Sequence, residues 1–253
     1  MPGSLVGTSW RAGRPEPPYG ERVPHPTSGK AEVLPLFPLG TVLVPGMRLS
    51  LHVFEPRYRQ LVADLLNAEG PGAPEFGVVA LRQGWEVGEL GDVYDVGTSA
   101  RVTDVLPHPD GRCDLAAVGE RRFVIDSLDT GAKPYLVAEV RWLTEPAGEI
   151  GSGLATSVRR ALDIHLRTLT ALNADLAEFT DLPVSADPRA LSYAVAMLPS
   201  LPMLDRQALL GVADTAARLK AGRAVLRRET ELLRQLRAVP ITAATFRRSR
   251  GTS

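Results

Sequence analysis

Apolar residues in the first half of the chain recur at short periods. From Leu34 to Leu61 the sequence reads LPLFPLGTVLVPGMRLSLHVFEPRYRQL. Two apolar pulses, Leu34–Phe37 and Val42–Val44, are broken by Pro38, Gly40, Pro45 and Gly46. Leu49, Leu51 and Val53 then alternate with Ser50, His52 and Phe54, the period of a half-buried strand. Glu55-Pro56 follows, and Leu61, Val62, Leu65 and Leu66 share one side of a helix. The stretch predicts strand, turn, strand, then a helix with proline at its first position.

Phe76–Leu81 predicts a buried strand. Val96–Leu106, Cys113–Val118 and Arg122–Leu128 predict a meander. Its turns fall at His108–Arg112, where Asp110-Gly111 tolerates left-handed backbone, and at Gly119-Glu120. Tyr135–Leu143 alternates as a long strand. Residues 31–145 therefore predict a compact, mainly antiparallel β-barrel with one helix. Beyond Gly153 the period becomes helical, with Leu154, Val158, Ala161, Leu162, His165, Leu166, Leu169 and Leu172 on one stripe. Asp187-Pro188, Asp205 and Asp214 predict three further helix starts. Residues 150–238 thus form a helical subdomain, and the fold class is α+β. The last helix can pack within the chain or pair two copies as a homo-oligomer. Residues 1–30, with six prolines, read as a disordered leader, and residues 239–253 as a basic disordered tail.

Composition narrows the function. The 253 residues are 44% hydrophobic and 23% charged, which suits one or two full-sized cores. The zero net charge hides a segregation. Residues 31–143 carry 10 Lys/Arg against 16 Asp/Glu, net −6, and residues 144–253 carry 15 against 11, net +4. An acidic barrel makes nucleic acid an unfavourable partner. A single cysteine, Cys113, excludes an intramolecular disulfide and fits a reducing cytoplasm. No apolar run approaches 18 residues, so no membrane span is expected.

Candidate chemistry is sparse. Gly148–Gly153 is the one loop with phosphate-binding spacing, and it lacks the lysine. No Gly-x-Ser-x-Gly elbow occurs, and the three lysines, Lys30, Lys133 and Lys220, have no serine at dyad spacing. The four histidines, His25, His52, His108 and His165, are far apart in sequence, and each reads as a packing or surface residue. No catalytic residue, metal site or cofactor is expected, and binding is the remaining function.

The order of these pieces resembles the N-terminal domain of the ATP-dependent protease Lon, in its stand-alone bacterial form. The resemblance runs from LPLFPLGTVLVPGMRLSLHVFEPRY through Phe76–Val79, Tyr94–Thr98, Asp110–Arg112, Gly119–Phe123 and Pro134–Val140 to Gln207–Leu210 and Arg218-Leu219. It covers roughly residues 33–237. It implies a PUA-like β-barrel followed by a helical bundle, with no ATPase or Ser-Lys protease part. The implied function is non-catalytic binding of unfolded or specific client proteins. The chain would then be an adaptor or regulator in protein quality control, with a protease or chaperone as its working partner. RNA binding is the alternative, because PUA-like barrels elsewhere hold RNA.

The expected contact residues are Phe54, Glu55, Arg57 and Tyr58 around a groove for an extended peptide. Met47 and Trp85 add adaptable apolar contacts. A structural role for the same motif is also open: Pro56 presets the helix, Glu55 sits by its positive end, and Arg57 pairs with an acid.

Overall fold

The computed structural model describes residues 26–68, 73–82, 92–172 and 185–238. Their elements, in chain order, are β1 (Thr27–Leu39), β2 (Arg48–Val53), α1 (Pro56–Asn67), β3 (Glu75–Ala80), β4 (Val96–Pro107), β5 (Cys113–Asp129) and β6 (Leu136–Leu143). Four helices follow: α2 (Leu154–Leu172), α3 (Pro188–Ala196), α4 (Met203–Leu210) and α5 (Thr215–Ala238). The strand order is β2-β5-β4-β3-β1-β6, and β5 also pairs with β6. That last pairing closes five strands into a barrel, with β2 attached along the first half of β5. Every pairing is antiparallel except β1 with β3.

Several expectations change at this level. β1 begins at Thr27, inside the segment read as leader, and runs unbroken through Pro35 and Pro38. The leader up to residue 25 and the tail from residue 239 lie outside the described residues. The apolar pulse Val42–Val44 forms a fully buried loop. The turn expected at Gly119-Glu120 is absent, because β5 is one strand of 17 residues. Gly119 answers a different need. A Cβ there would lie 2.4 Å from the Val44 carbonyl oxygen. The Gly46 N–H donates to the Gly119 carbonyl at 2.8 Å, and the Gly119 N–H donates to the Met47 carbonyl at 2.9 Å. The glycine lets the Val44–Met47 loop lie directly against the strand.

The hairpin at His108–Arg112 forms as expected, with Gly111 at φ 80°. Asp187 caps α3, accepting from the N–H groups of Arg189 and Ala190, and Asp214 accepts from the Ala217 N–H at the start of α5. Asp205 does not cap α4. That helix starts after Pro202, and Asp205 sits in its first turn, where it accepts from Arg228.

Barrel and helices share a core. Val42, Val44, Ala80, Val96 and Leu143 pack with Leu154, Leu162, Tyr193, Leu209 and Leu219. Three buried arginines and the largely buried Glu145 tie the same seam. Arg206 of α4 donates to the Val42 carbonyl at 2.9 Å and to the Ala196 carbonyl at 3.0 Å. Arg122 of β5 donates to the carbonyls of Leu210 and Val212, both at 2.7 Å, where the C-terminal end of α4 is negative. Glu145 accepts from Arg122, Tyr193 and Arg218.

Candidate peptide-binding groove

Before Leu36, β1 is paired with β6 alone among the described residues, from Thr27 opposite Leu143 to Pro35 opposite Val137. Its pairing with β3 begins only at Leu36, opposite Gly77. Pro35 therefore sits where a missing N–H is tolerated. Helix α1 lies beside this stretch because Tyr58, Leu61, Val62 and Leu65 bury their side chains against the barrel. Between them is an open cavity of about 480 Å³, walled by Val33, Leu34, Pro35, Leu61, Leu65 and Val137. Val33 keeps 68% of its surface exposed.

Two carboxylates edge the cavity. Asp64 accepts from the Tyr135 hydroxyl at 2.6 Å, Gln60 Nε2 at 2.7 Å and Lys133 Nζ at 2.9 Å. These donors, Tyr135 foremost, hold its carboxyl down at about 2. Burial, and then the Asp64 carboxylate, push the Tyr135 phenol up to about 12. Glu75 Oε2 accepts from Arg121 at 3.1 Å, whereas its Oε1 is buried with no hydrogen-bond partner among the described residues. An apolar floor with an unused acceptor at its edge suits an extended chain carrying N–H donors.

The residues expected from sequence do not line this cavity. Phe54 is exposed beyond the end of β2. Glu55 precedes α1 without capping it through its side chain, and it pairs with Arg57 at 2.7 Å. Tyr58 is 7% exposed and stacks on Phe37 with ring centroids 4.0 Å apart. Burial raises its pKa. Met47 does not line the cavity either. It is half-buried at the seam, packed against both the barrel and the helical core, with Sδ 3.9 Å from Arg206 Nη2. Trp85 lies outside the described residues. The cavity instead uses Leu61, Asp64 and Leu65, one and two turns further along α1, together with Val33. No local motif marks them.

A polar cluster lies elsewhere on the barrel. The register sets His52 of β2 opposite Asp114 of β5. His52 Nδ1 is 2.7 Å from Asp114 Oδ1, and His108 Nε2 is 2.7 Å from Oδ2. These two contacts hold the Asp114 carboxyl below the usual carboxylate range. Sequence separation concealed the grouping, since 62 residues part His52 from Asp114.

A small closed barrel, one helix laid on its wall and a fused set of helices define the class: a mixed α+β fold with a groove on the barrel side. The family follows from comparison with known proteins. Residues 33–228 match the model of the ATP-dependent protease La (LON) substrate-binding domain, and the chain belongs to that family. It is 31% identical over 211 residues to Lon protease 2 of Syntrophobacter fumaroxidans, matching 81% of this chain and 25% of that protein. It is 28% identical over 207 residues to Lon protease 1 of Herpetosiphon aurantiacus, matching 79% of this chain and 24% of that one. The chain thus spans about a quarter of the length of these curated relatives.

Among solved structures, the Lon N-terminal domain protein from Xanthomonas campestris aligns with a TM-score of 0.54 at 28% identity, covering 75% of this chain and 95% of that chain. The N-terminal domain of Mycobacterium avium complex Lon protease aligns with a TM-score of 0.56 at 19% identity, covering 79% and 98%, a likeness of fold. Among the described residues, no helix is long and apolar enough to cross a membrane.

Proposed function

We propose that this chain is a non-catalytic module that holds unfolded polypeptide segments in the groove between α1 and β1. One observation carries the reading: among the described residues the start of β1 is paired on one side only, and an apolar wall stands beside its other side. An extended client can add as a strand there, with backbone hydrogen bonds for affinity and the cavity for apolar side chains. The unsatisfied Glu75 Oε1 suits a client N–H or a basic side chain. Membership of the substrate-binding family supports a client that is protein, and the net −6 of residues 31–143 supports polypeptide over RNA. In this reading the chain works in the cytoplasm as an adaptor or regulator that presents clients to a protease or chaperone.

The test is fluorescence anisotropy with labelled unfolded casein, using wild type and Val33→Asp. A charge placed in the apolar groove should weaken binding about tenfold or more. Unfolding temperature should hold, because Val33 is already exposed. Equal binding by both proteins, or none by wild type, would sink the proposal. A gel shift with structured RNA is the companion arm, and salt-sensitive retention there would move the function to nucleic acid.

A further inference from the structure

We propose that His52, His108 and Asp114 form a binding site for a divalent transition-metal ion of the zinc class on the outer wall of the barrel. The three residues come from separate places: His52 from edge strand β2, Asp114 from β5, and His108 from the turn between β4 and β5. Each offers one ligand atom, and these atoms all lie within 4.8 Å of one another. Two imidazole nitrogens and one carboxylate oxygen are a donor set that zinc takes readily, with a fourth, open position for water or a partner's side chain.

The geometry is close to what the ion needs. Zinc–nitrogen and zinc–oxygen bonds of about 2.1 Å place tetrahedral ligands about 3.4 Å apart. The two nitrogens already lie 2.7 Å from the Asp114 oxygens, so the nitrogen–oxygen contacts must open and the nitrogens converge on one centre. The side chains have room for this. They are 48%, 33% and 49% exposed for His52, His108 and Asp114, and their rings and carboxyl can turn without disturbing the core. Cys113 is no competing ligand, being buried and directed into the barrel core. The ion takes the place of the two hydrogen bonds to Asp114, and each neutral imidazole carries its one ring proton on the nitrogen that does not ligate.

One neighbour works against the ion. Arg112 Nη1 stands 3.5 Å from His52 Nε2. When Nδ1 ligates a metal, Nε2 carries the ring proton, and two donors then face each other. Arg112 pairs with Asp110 at 2.6 Å in the same turn, and it is half-exposed. It must swing aside for the ion to bind, and its removal should tighten the site.

A bound ion would also clip strand β2, which among the described residues is paired only through β5, to the β4–β5 turn.

The experiment is a competition titration of the full chain with zinc and a chromophoric chelator. Wild type should take up one ion per chain. His52→Ala, His108→Ala and Asp114→Asn should each weaken binding at least about tenfold. Arg112→Ala should bind more tightly than wild type, and His25→Ala should match it. Zinc should raise the unfolding temperature of wild type and leave His52→Ala unmoved. Without metal, the His52, His108, Asp114 and Arg112 variants should unfold near the wild-type temperature, because those side chains are a third to a half exposed. Undiminished binding in the three ligand variants, no uptake by wild type, or loss confined to His25→Ala overturns the site.

Discussion

Replacing Glu145 by alanine should separate the barrel from its helices more effectively than any surface change. The Glu145 carboxylate is 12% exposed and lies between two guanidinium groups that are 1% and 0% exposed, those of Arg122 and Arg218. It accepts from Arg122 Nε at 2.5 Å, from the Tyr193 hydroxyl at 2.5 Å and from Arg218 Nη2 at 3.3 Å. Without it, two like charges remain buried with no counter-ion between them, and the Tyr193 hydroxyl loses its acceptor. Removing one partner of a buried ion pair costs roughly 3–5 kcal/mol. For a chain of this size each kcal/mol is worth about 2–4 °C, so unfolding temperature should fall by roughly 6–20 °C.

The pH dependence supplies a second reading. Burial by itself would raise the Glu145 pKa, but the charge of Arg122, the Tyr193 hydroxyl and Arg218 together keep it below the usual value. A depressed carboxylate contributes its full stability above the unfolded value, about 4.3, and loses it as pH falls through the folded value. Wild type should therefore lose stability more steeply than Glu145→Ala under acid, and their melting temperatures should converge. Differential scanning calorimetry from pH 7 to pH 3 makes the comparison. A difference of less than about 2 °C at pH 7, the scale of an exposed pair, would refute the buried-clasp argument, as would a gap that stays constant on acidification.

Three smaller perturbations probe other parts of the fold. Gly119→Ala brings a methyl against the Val44 carbonyl, a backbone atom that cannot swing away, and should cost about 1–3 kcal/mol in denaturant melts. An unchanged midpoint would show that the loop packs less tightly than the structure has it. Asp187→Ala removes the acceptor for two N–H groups at the start of α3 and should cost about 1 kcal/mol, while Asp187→Asn restores most of that. Asp64→Asn should lower the Tyr135 titration midpoint from about 12 but leave it above 10, since burial is the larger cause and remains. Ultraviolet difference titration reads this directly, and an unmoved midpoint would remove Asp64 from the account.

Much of the architecture is legible locally. The alternation of Leu49, Leu51 and Val53 marked β2, the stripe from Leu154 to Leu169 marked α2, and Asp110-Gly111 marked the β4–β5 hairpin. Each signal depends on residues a few positions apart. The errors came where a residue served a distant neighbour. Gly119 reads as a turn residue until Val44 is seen against it, and Pro38 reads as a break until β1 is found to run through it to Leu39. Asp205 resembles a cap, yet Pro202 had already turned the chain into α4. The proposed groove was less legible still. Phe54–Tyr58 drew attention as a compact motif, but its tyrosine packs on Phe37, and the cavity belongs to Val33, Leu61, Asp64 and Leu65.

The sequence by itself determined the succession of strands and helices, the barrel before the helices, and the Lon-type order of motifs. It could do so because periods of two and of 3.6 residues, caps and turns are properties of neighbouring positions. Only the tertiary structure decided which strands meet. Closure of β5 on β6 and the parallel pairing of β1 with β3 leave the early part of β1 paired on one side only among the described residues. The pairing of β2 with β5 sets His52 beside Asp114, and the hairpin adds His108. The same closure buries Arg122 and Arg218 around Glu145. Such meetings depend on how the barrel shuts, and the spacing of residues along the chain carries no record of that.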